Sequence, residues 1–248
     1  MADQRALLEI AANSLDSALA AESGGADRVE LCAALELGGL TPSHATIALA
    51  RERVRLPIYV LIRPRAGDCV YSDAEFETMQ RDVEACVALG CDGVVIGALA
   101  ADGCIDVARC RALITAAKHL GVTFHRAFDL SIDPPQALED VIALGCERLL
   151  TSGGAPNALT GATAIRALVA QSAARISVMA GAGVDATNID AVRTATGTDE
   201  FHASAKRPLA SRLHAPTHPA LGMTAGEWRT DVAEVRALVL ALRRRRER

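Results

Sequence analysis

Aromatic side chains are scarce in this sequence. They make up 3% of 248 residues, with one Trp, two Tyr and four Phe. A stacking platform for single-stranded nucleic acid needs many rings, so that function class is disfavoured. Excess positive charge is also missing. The net charge is −4 and the pI about 5.9, so no sequence-wide basic field draws the chain to DNA or to anionic lipid. No run of 18 apolar residues occurs, and the N-terminus MADQRALLEI lacks an extended apolar segment. Neither a membrane span nor a signal peptide is expected. The seven cysteines (Cys32, Cys69, Cys86, Cys91, Cys104, Cys110 and Cys146) are odd in number and form no CxxC pair. A disulfide framework or a structural zinc site is therefore not expected, and a reducing, cytoplasmic setting is. A phosphate loop is lacking too. After the first apolar run the chain reads Ala11-Ala12-Asn13-Ser14, which is neither GxGxxG nor a P-loop, and this argues against a doubly wound nucleotide-binding sheet.

What the chain does have is apolar mass and a repeat. Half of the residues are hydrophobic and 23% are charged, enough for a full core and too apolar for global disorder. The segment GADRVEL from Gly25 resembles GCDGVVI from Gly90 and GCERLL from Gly145, and more weakly GTDEFH from Gly197. Each copy follows an Ala- and Leu-rich helical stretch. The Gly reads as the left-handed residue that ends a helix, and the apolar run after it as a buried parallel strand. Residues 7–11, 58–62, 122–125 and 176–179 are further strand candidates. Together they make eight strands spaced roughly 20–35 residues apart, the size of a βα unit. Ser72 with Glu75 predicts a capping box. Asp133 before Pro134 predicts an N-cap with Pro at N1, and Asp106 and Asp185 are N-cap candidates.

Eight strands alternating with helices at this length predict an α/β protein, a single (β/α)8 TIM barrel over residues 1–248. No linker divides it. Residues 214–219 read as a surface loop before an amphipathic C-terminal helix carrying Val232, Val235, Val239 and Leu242 at helical spacing. The run Arg243-Arg244-Arg245-Arg246 at its end complements the helix dipole and stays solvated.

In such barrels the chemistry gathers at the C-terminal ends of the strands. Aligning the repeats by their Gly places Glu30, Val95, Leu150 and His202 in one inward layer. Cys32, Gly97, Ser152 and Ser204 follow two residues nearer the mouth. The reading is of two ionisable groups entering an otherwise apolar interior. Glu9 lies in the first strand, Arg63 and Arg65 past the third, and His125-Arg126 at the end of the fifth. Strands eight, one and two are neighbours in a closed barrel, so His202, Glu9 and Glu30 are expected together, with Arg63, Arg65, His125 and His202 as the cations at hand. Paired carboxylates beside imidazoles suit general acid–base work. Glu9 or Glu30 is then the base, His125 the acid and Arg63 an anion clamp, with Asp129 and His202 in the same catalytic set. Arg65, Asp68 and Arg126 are candidate substrate contacts. The turns Thr151-Ser152-Gly153-Gly154 and Ala180-Gly181-Ala182-Gly183, with Ser204 after strand eight, are candidate phosphate-binding backbone; tight turns are the plain alternative. Glu9, Glu30, His125 and His202 also form an O and N donor set for Mn2+ or Zn2+, although strand five lies across the barrel from the other three. His44, His119, His214 and His218 read as surface residues.

The motifs carry a family likeness. GGADRVELC from Gly24 and GGLTPS from Gly38 resemble the opening of the CutC family, the copper homeostasis proteins. LIRPRAGDCVYSDAEFETMQRDV from Leu61, VTFHRAFD from Val122, ERLLTSGG from Glu147 and EFHASA from Glu200 are similar to it too. The resemblance covers about residues 7–204. It implies a cytoplasmic TIM barrel, a homodimer or higher homo-oligomer, and a role in copper binding and trafficking. It also implies Cu(I) held by cysteines at the ends of the first two strands. Here the second of these is Cys32 and the first falls on Ala11; a further family cysteine falls on Ala203. Cu(I) prefers at least two soft ligands, so a copper site at Cys32 would be thin. The ionisable set instead suggests a lyase, aldolase or isomerase acting on a small anionic or sugar-like molecule. No Lys points inward for a Schiff base, since Lys118 falls in a helix and Lys206 after strand eight.

Overall fold

Helix ends and strand starts fall where the glycine repeat predicts. Gly25 sits at φ 90°, its N–H bonded back to Ala21 O and Glu22 O. A Cβ there would strain the backbone, and Gly90, Gly145 and Gly197 repeat the conformation. The structure, a computed structural model, describes residues 5–213 and 226–243. The loop expected at residues 214–219, with His214 and His218, and most of the Arg243–246 run lie outside the described residues.

The strands are β1 (Leu7–Ala12), β2 (Arg28–Leu31), β3 (Ile58–Leu61), β4 (Gly93–Ile96), β5 (Gly121–Phe124), β6 (Arg148–Thr151), β7 (Ser177–Ala180) and β8 (Glu200–Ala203). They pair in parallel in that order, and β8 closes on β1. The intervening helices are α1 (Leu15–Gly24), α2 (His44–Arg53), α3 (Asp73–Ala88), α4 (Val107–Ala117), α5 (Pro134–Ala143), α6 (Ala162–Ser172) and α7 (Ile189–Thr196). The expected (β/α)8 barrel is the fold. Beyond the expectation, Lys206–Leu209 (β9) pairs antiparallel with Glu227–Thr230 (β10), ahead of the terminal α8 (Val232–Arg243).

Local signals fix most helix starts. Ser72 and Glu75 form the reciprocal capping box of α3. Asp106 accepts from Arg109 N–H, and Asp133 from Gln136 N–H with Pro134 at N1. Asp185 is a correction. Its carboxylate accepts from the N–H groups of Thr187 and Asn188, so it closes a turn, and α7 begins after Asn188. The amphipathic α8 buries Val235, Leu238, Val239 and Leu242. Gly24 lets it approach α1, since a Cβ there would collide with Val235.

The apolar core lies between strands and helices. Phe124, Phe128 and Phe201 are fully buried there among aliphatic side chains. Inside the barrel the packing differs. Tyr59 fills the lower interior, and a Cβ at Gly93 would overlap its ring. Glycine on β4 is thus the space that Tyr59 occupies.

Candidate functional site

The lower barrel interior is charged, which corrects the expectation of an apolar one. Arg28 on β2 sits beside Glu9 on β1, as the strand register dictates. Arg28 Nε donates to Glu9 Oε2 at 2.5 Å and its Nη2 to Glu200 Oε2 at 2.8 Å. Arg148 Nε donates to Glu200 Oε2 at 2.6 Å and its Nη1 to Glu147 Oε1 at 3.0 Å. Both guanidinium groups lie over the Tyr59 ring, 5.3 and 5.4 Å from its centroid, and the Tyr59 hydroxyl donates to Glu147. Taking charges out of water costs several kcal/mol per ion, on the order estimated for buried ions generally, unless each meets its opposite. Here the signs alternate along the chain of contacts. Sequence reasoning missed Arg28, Arg148 and Glu200. Each stands two residues before an expected inward position (Glu30, Leu150 and His202), so strand parity carried the signal.

Above this network the expected trio does assemble. Glu9 Oε1 lies 2.8 Å from His202 Nδ1. Burial pushes the Glu9 carboxyl up, but the Arg28 charge and His202 pull it down to about 2. Glu9 is thus ionised, with one oxygen on Arg28 and the other on His202. Burial drives the Glu30 carboxyl up to about 7, with His202 opposing and Glu9 adding to the rise. Glu30 Oε2 is buried without a hydrogen-bond partner among the described residues. His202 is lowered by burial and raised more by Glu30 and Glu9, a net shift upward.

His125, at the end of β5, faces the same mouth. Ala127 N–H donates to its Nδ1 at 3.0 Å, which assigns the ring proton to Nε2. That Nε2 is buried and unpartnered among the described residues. Burial, then the nearby Arg63 charge, holds the imidazole neutral, with a pKa of about 3. Gly97, just past the end of the neighbouring β4, leaves room for it, since a Cβ there would come within 2.5 Å of His125 Cε1. Glu30, His125, His202, Arg63, Asp129, Arg126, Ser204 and Lys206 all line one cavity of about 470 Å3 at the C-terminal mouth.

Other expected site residues have structural work. Arg63 donates to the carbonyls of Leu37, Gly39 and Gly67. It holds the loops after β2 and β3, and its charge faces His125. Arg65 and Asp68 are not brought to the cavity; Arg65 pairs with Glu75 at 2.6 Å and Asp68 at 3.0 Å within its own loop. The Asp129 carboxylate accepts from Thr151 Oγ1, from the N–H groups of Ser152 and Gly154, and from Arg126 Nε. Gly153 N–H goes to Thr151 Oγ1. The turn after β6 is therefore filled by an internal carboxylate and offers no free anion seat. Gly181 N–H is spent on Thr151 O, while Gly183 and Ser204 line the cavity.

The metal readings test poorly against the donors. Glu9, Glu30 and His202 each bring one ligand atom within 4.8 Å of the others, and His125 is not among them. Both Glu9 oxygens are already engaged, one by a guanidinium, so Mn2+ or Zn2+ would have to displace a buried ion pair. Cys32 is fully buried, with its Sγ 3.6 Å from Ala12 O. Burial, then Glu30, pushes its thiol well above the ordinary range, against the thiolate that Cu(I) binding needs. The places where the resemblance puts further cysteines are Ala11 and Ala203.

Comparison with known proteins agrees with the motifs. The family model described as "CutC family" matches residues 6–207. A protein from Xanthomonas campestris named as a family protein CutC is 59% identical over 95% of this chain and 98% of its own. A crystal structure from Streptococcus agalactiae, named for the copper homeostasis protein CutC, is 32% identical. It covers 80% of this chain and 98% of its own, with a TM-score of 0.77. A thiamine phosphate pyrophosphorylase from Pyrococcus furiosus, 14% identical with a TM-score of 0.60 over 96% of each chain, shares the fold alone. Motifs, barrel and relatives converge: this chain belongs to the CutC family.

Proposed function

We propose that this CutC-family barrel carries out acid–base chemistry, of the lyase, aldolase or isomerase kind, on a small oxygen-rich molecule held in the mouth cavity. One observation carries the reading. Glu30 and His125 both line the mouth cavity, and each carries a buried side-chain atom, Oε2 and Nε2, left unpartnered among the described residues. An orphaned buried polar atom costs about 1–3 kcal/mol, and a ligand that satisfies both removes that cost.

The two groups are complementary. A neutral imidazole with its proton on Nε2 donates a hydrogen bond to a carbonyl or hydroxyl oxygen that reaches it. The Arg63 charge beside it favours negative charge developing on that oxygen. Glu30, with its pKa near neutrality, can take a proton from a neighbouring carbon or oxygen and return it. His202, fixed by Glu9, supports the charge on Glu30 when the proton leaves.

A second reading comes from the name of the Streptococcus agalactiae relative, copper homeostasis. The sole thiol at the expected site, Cys32, gives it little donor support, and no step is derived through copper. The family resemblance suggests in addition a cytoplasmic, oligomeric protein, which fractionation and size-exclusion measurements test.

The decisive experiment is an unbiased metabolite screen read by thermal shift, repeated on Glu30→Gln and His125→Ala. Ligands that stabilise the parent and lose their effect in both folded variants support the acid–base reading. Undiminished binding in both refutes it. Titration of Cu(I) against a competing chelator, with Cys32→Ser alongside, tests the second. Tight stoichiometric binding abolished by the substitution would favour copper carriage.

A further inference from the structure

The two glycine-bearing turns at the mouth differ in what their backbone donors do. After β6 the N–H groups of Ser152, Gly153 and Gly154 are taken by Asp129 and Thr151. After β7 the N–H groups of Ala182, Gly183 and Val184 have no acceptor among the described residues, nor does that of Ser204 after β8. All four residues line the cavity. Ala182 is held at φ 76° and Ala205, next to Ser204, at φ 46°, conformations that L residues adopt at a cost.

The charges at the mouth add an independent observation. Of the acidic residues lining the cavity, Asp129 is neutralised by Arg126 at 2.7 Å, and Glu30 is the proton carrier described above. Two cations on the lining, Arg63 and Lys206, have no carboxylate partner among the described residues. Arg63 is held by carbonyls, and the Lys206 ammonium lies 5.4 Å from the Trp228 ring centroid. Arg63 stands on the His125 side and Lys206 beside the β7 and β8 loops. The cavity lining therefore combines two cations without a carboxylate partner with residues whose N–H groups have no acceptor among the described residues, an environment that suits an oxyanion.

We propose that the N–H groups of Ala182, Gly183, Val184 and Ser204, with the Lys206 ammonium, form an oxyanion subsite, and that the ligand of this cavity is a small phosphate ester or carboxylate whose oxygen reaches His125. The proposal rests on the acid–base reading for the far end of the ligand and extends it by naming the near end. Several donors on two loops suit a tetrahedral phosphate. A carboxylate shares the same chemistry with fewer acceptors.

The test uses the full chain labelled with 15N. Inorganic phosphate and, separately, acetate are titrated at constant ionic strength, and amide shifts are followed. Saturable shifts at Ala182, Gly183, Val184 and Ser204 are expected. Tighter binding of phosphate assigns a phosphate ester, and tighter binding of acetate a carboxylate. Lys206→Gln, at an exposed position, should weaken binding about two- to fivefold, the effect of one exposed charge, and Lys206→Glu should weaken it further. Absence of binding for both anions, shifts confined to other regions, or unchanged affinity in both Lys206 variants would overturn the subsite. Its fate is separable from that of the acid–base reading. If anions bind here while Glu30→Gln and His125→Ala leave all metabolite binding intact, the subsite stands and that reading falls.

Discussion

Replacing Arg28 by Met tests the buried network most directly. Arg28 contacts Glu9 at 2.5 Å and Glu200 at 2.8 Å, so its loss leaves a fully buried carboxylate with His202 as its one remaining partner and weakens a second. Removing one partner of a buried ion pair costs about 3–5 kcal/mol. Glu9 is held at about 2, against 4.5 for an ordinary glutamate, by Arg28 and His202 together against the cost of burial. The sign follows from proton counting. A depressed carboxyl contributes stability that is present above the unfolded pKa and lost as pH falls through the folded one. The Met variant loses the Arg28 part of this contribution, so its deficit is greatest above pH about 5 and shrinks toward pH about 2. For a chain of this length each kcal/mol moves Tm by about 2–4 °C, so a loss of roughly 6–20 °C is expected near pH 7. Calorimetry at a series of pH values measures it. A variant as stable as the parent near neutrality, or a deficit independent of pH, would refute the assignment of Arg28 as the counter-ion of Glu9.

Three further outcomes follow from the site. Because burial raises Glu30 to about 7, the folded chain keeps a proton that the unfolded chain releases above about 4.5, so stability falls as pH rises across that window. Glu30→Gln should flatten the slope and raise Tm more at pH about 8 than at pH about 5; an equal change at both contradicts the shift. His125, buried and held near 3, should show an unchanging Cε1–H resonance from pH about 8 down to pH about 5, and a titration near 6.5 would show that the ring is not sequestered. Gly93→Val should drive side-chain atoms into the Tyr59 ring and cost about 1–3 kcal/mol or more in urea unfolding; a neutral result would mean that Tyr59 does not fill the lower barrel.

The barrel is legible in the order of the residues alone. Its signals are local: a glycine where a helix must turn left-handed, an apolar run after it, and an acid or serine three residues before a helical amide. Each acts within a few positions, so Gly25, Ser72 or Asp133 could be read without knowing what lies across the molecule. The trio of Glu9, Glu30 and His202 was also legible, because closure of an eight-stranded ring makes strands eight, one and two neighbours whatever the details. Tertiary structure alone decided which groups are spent and which are free. His202 and Glu9 meet across 193 residues of chain, and Arg28, two residues below Glu30 on β2, pairs in register with Glu9. Asp129, 22 residues from Thr151 and 23 from Ser152, fills a turn whose sequence looks like an open anion seat. Arg65 has the right type and position, yet Glu75 and Asp68 are closer. Whether a charge or donor is available depends on the distance to its nearest opposite, and that distance is set by how the loops fold over the mouth.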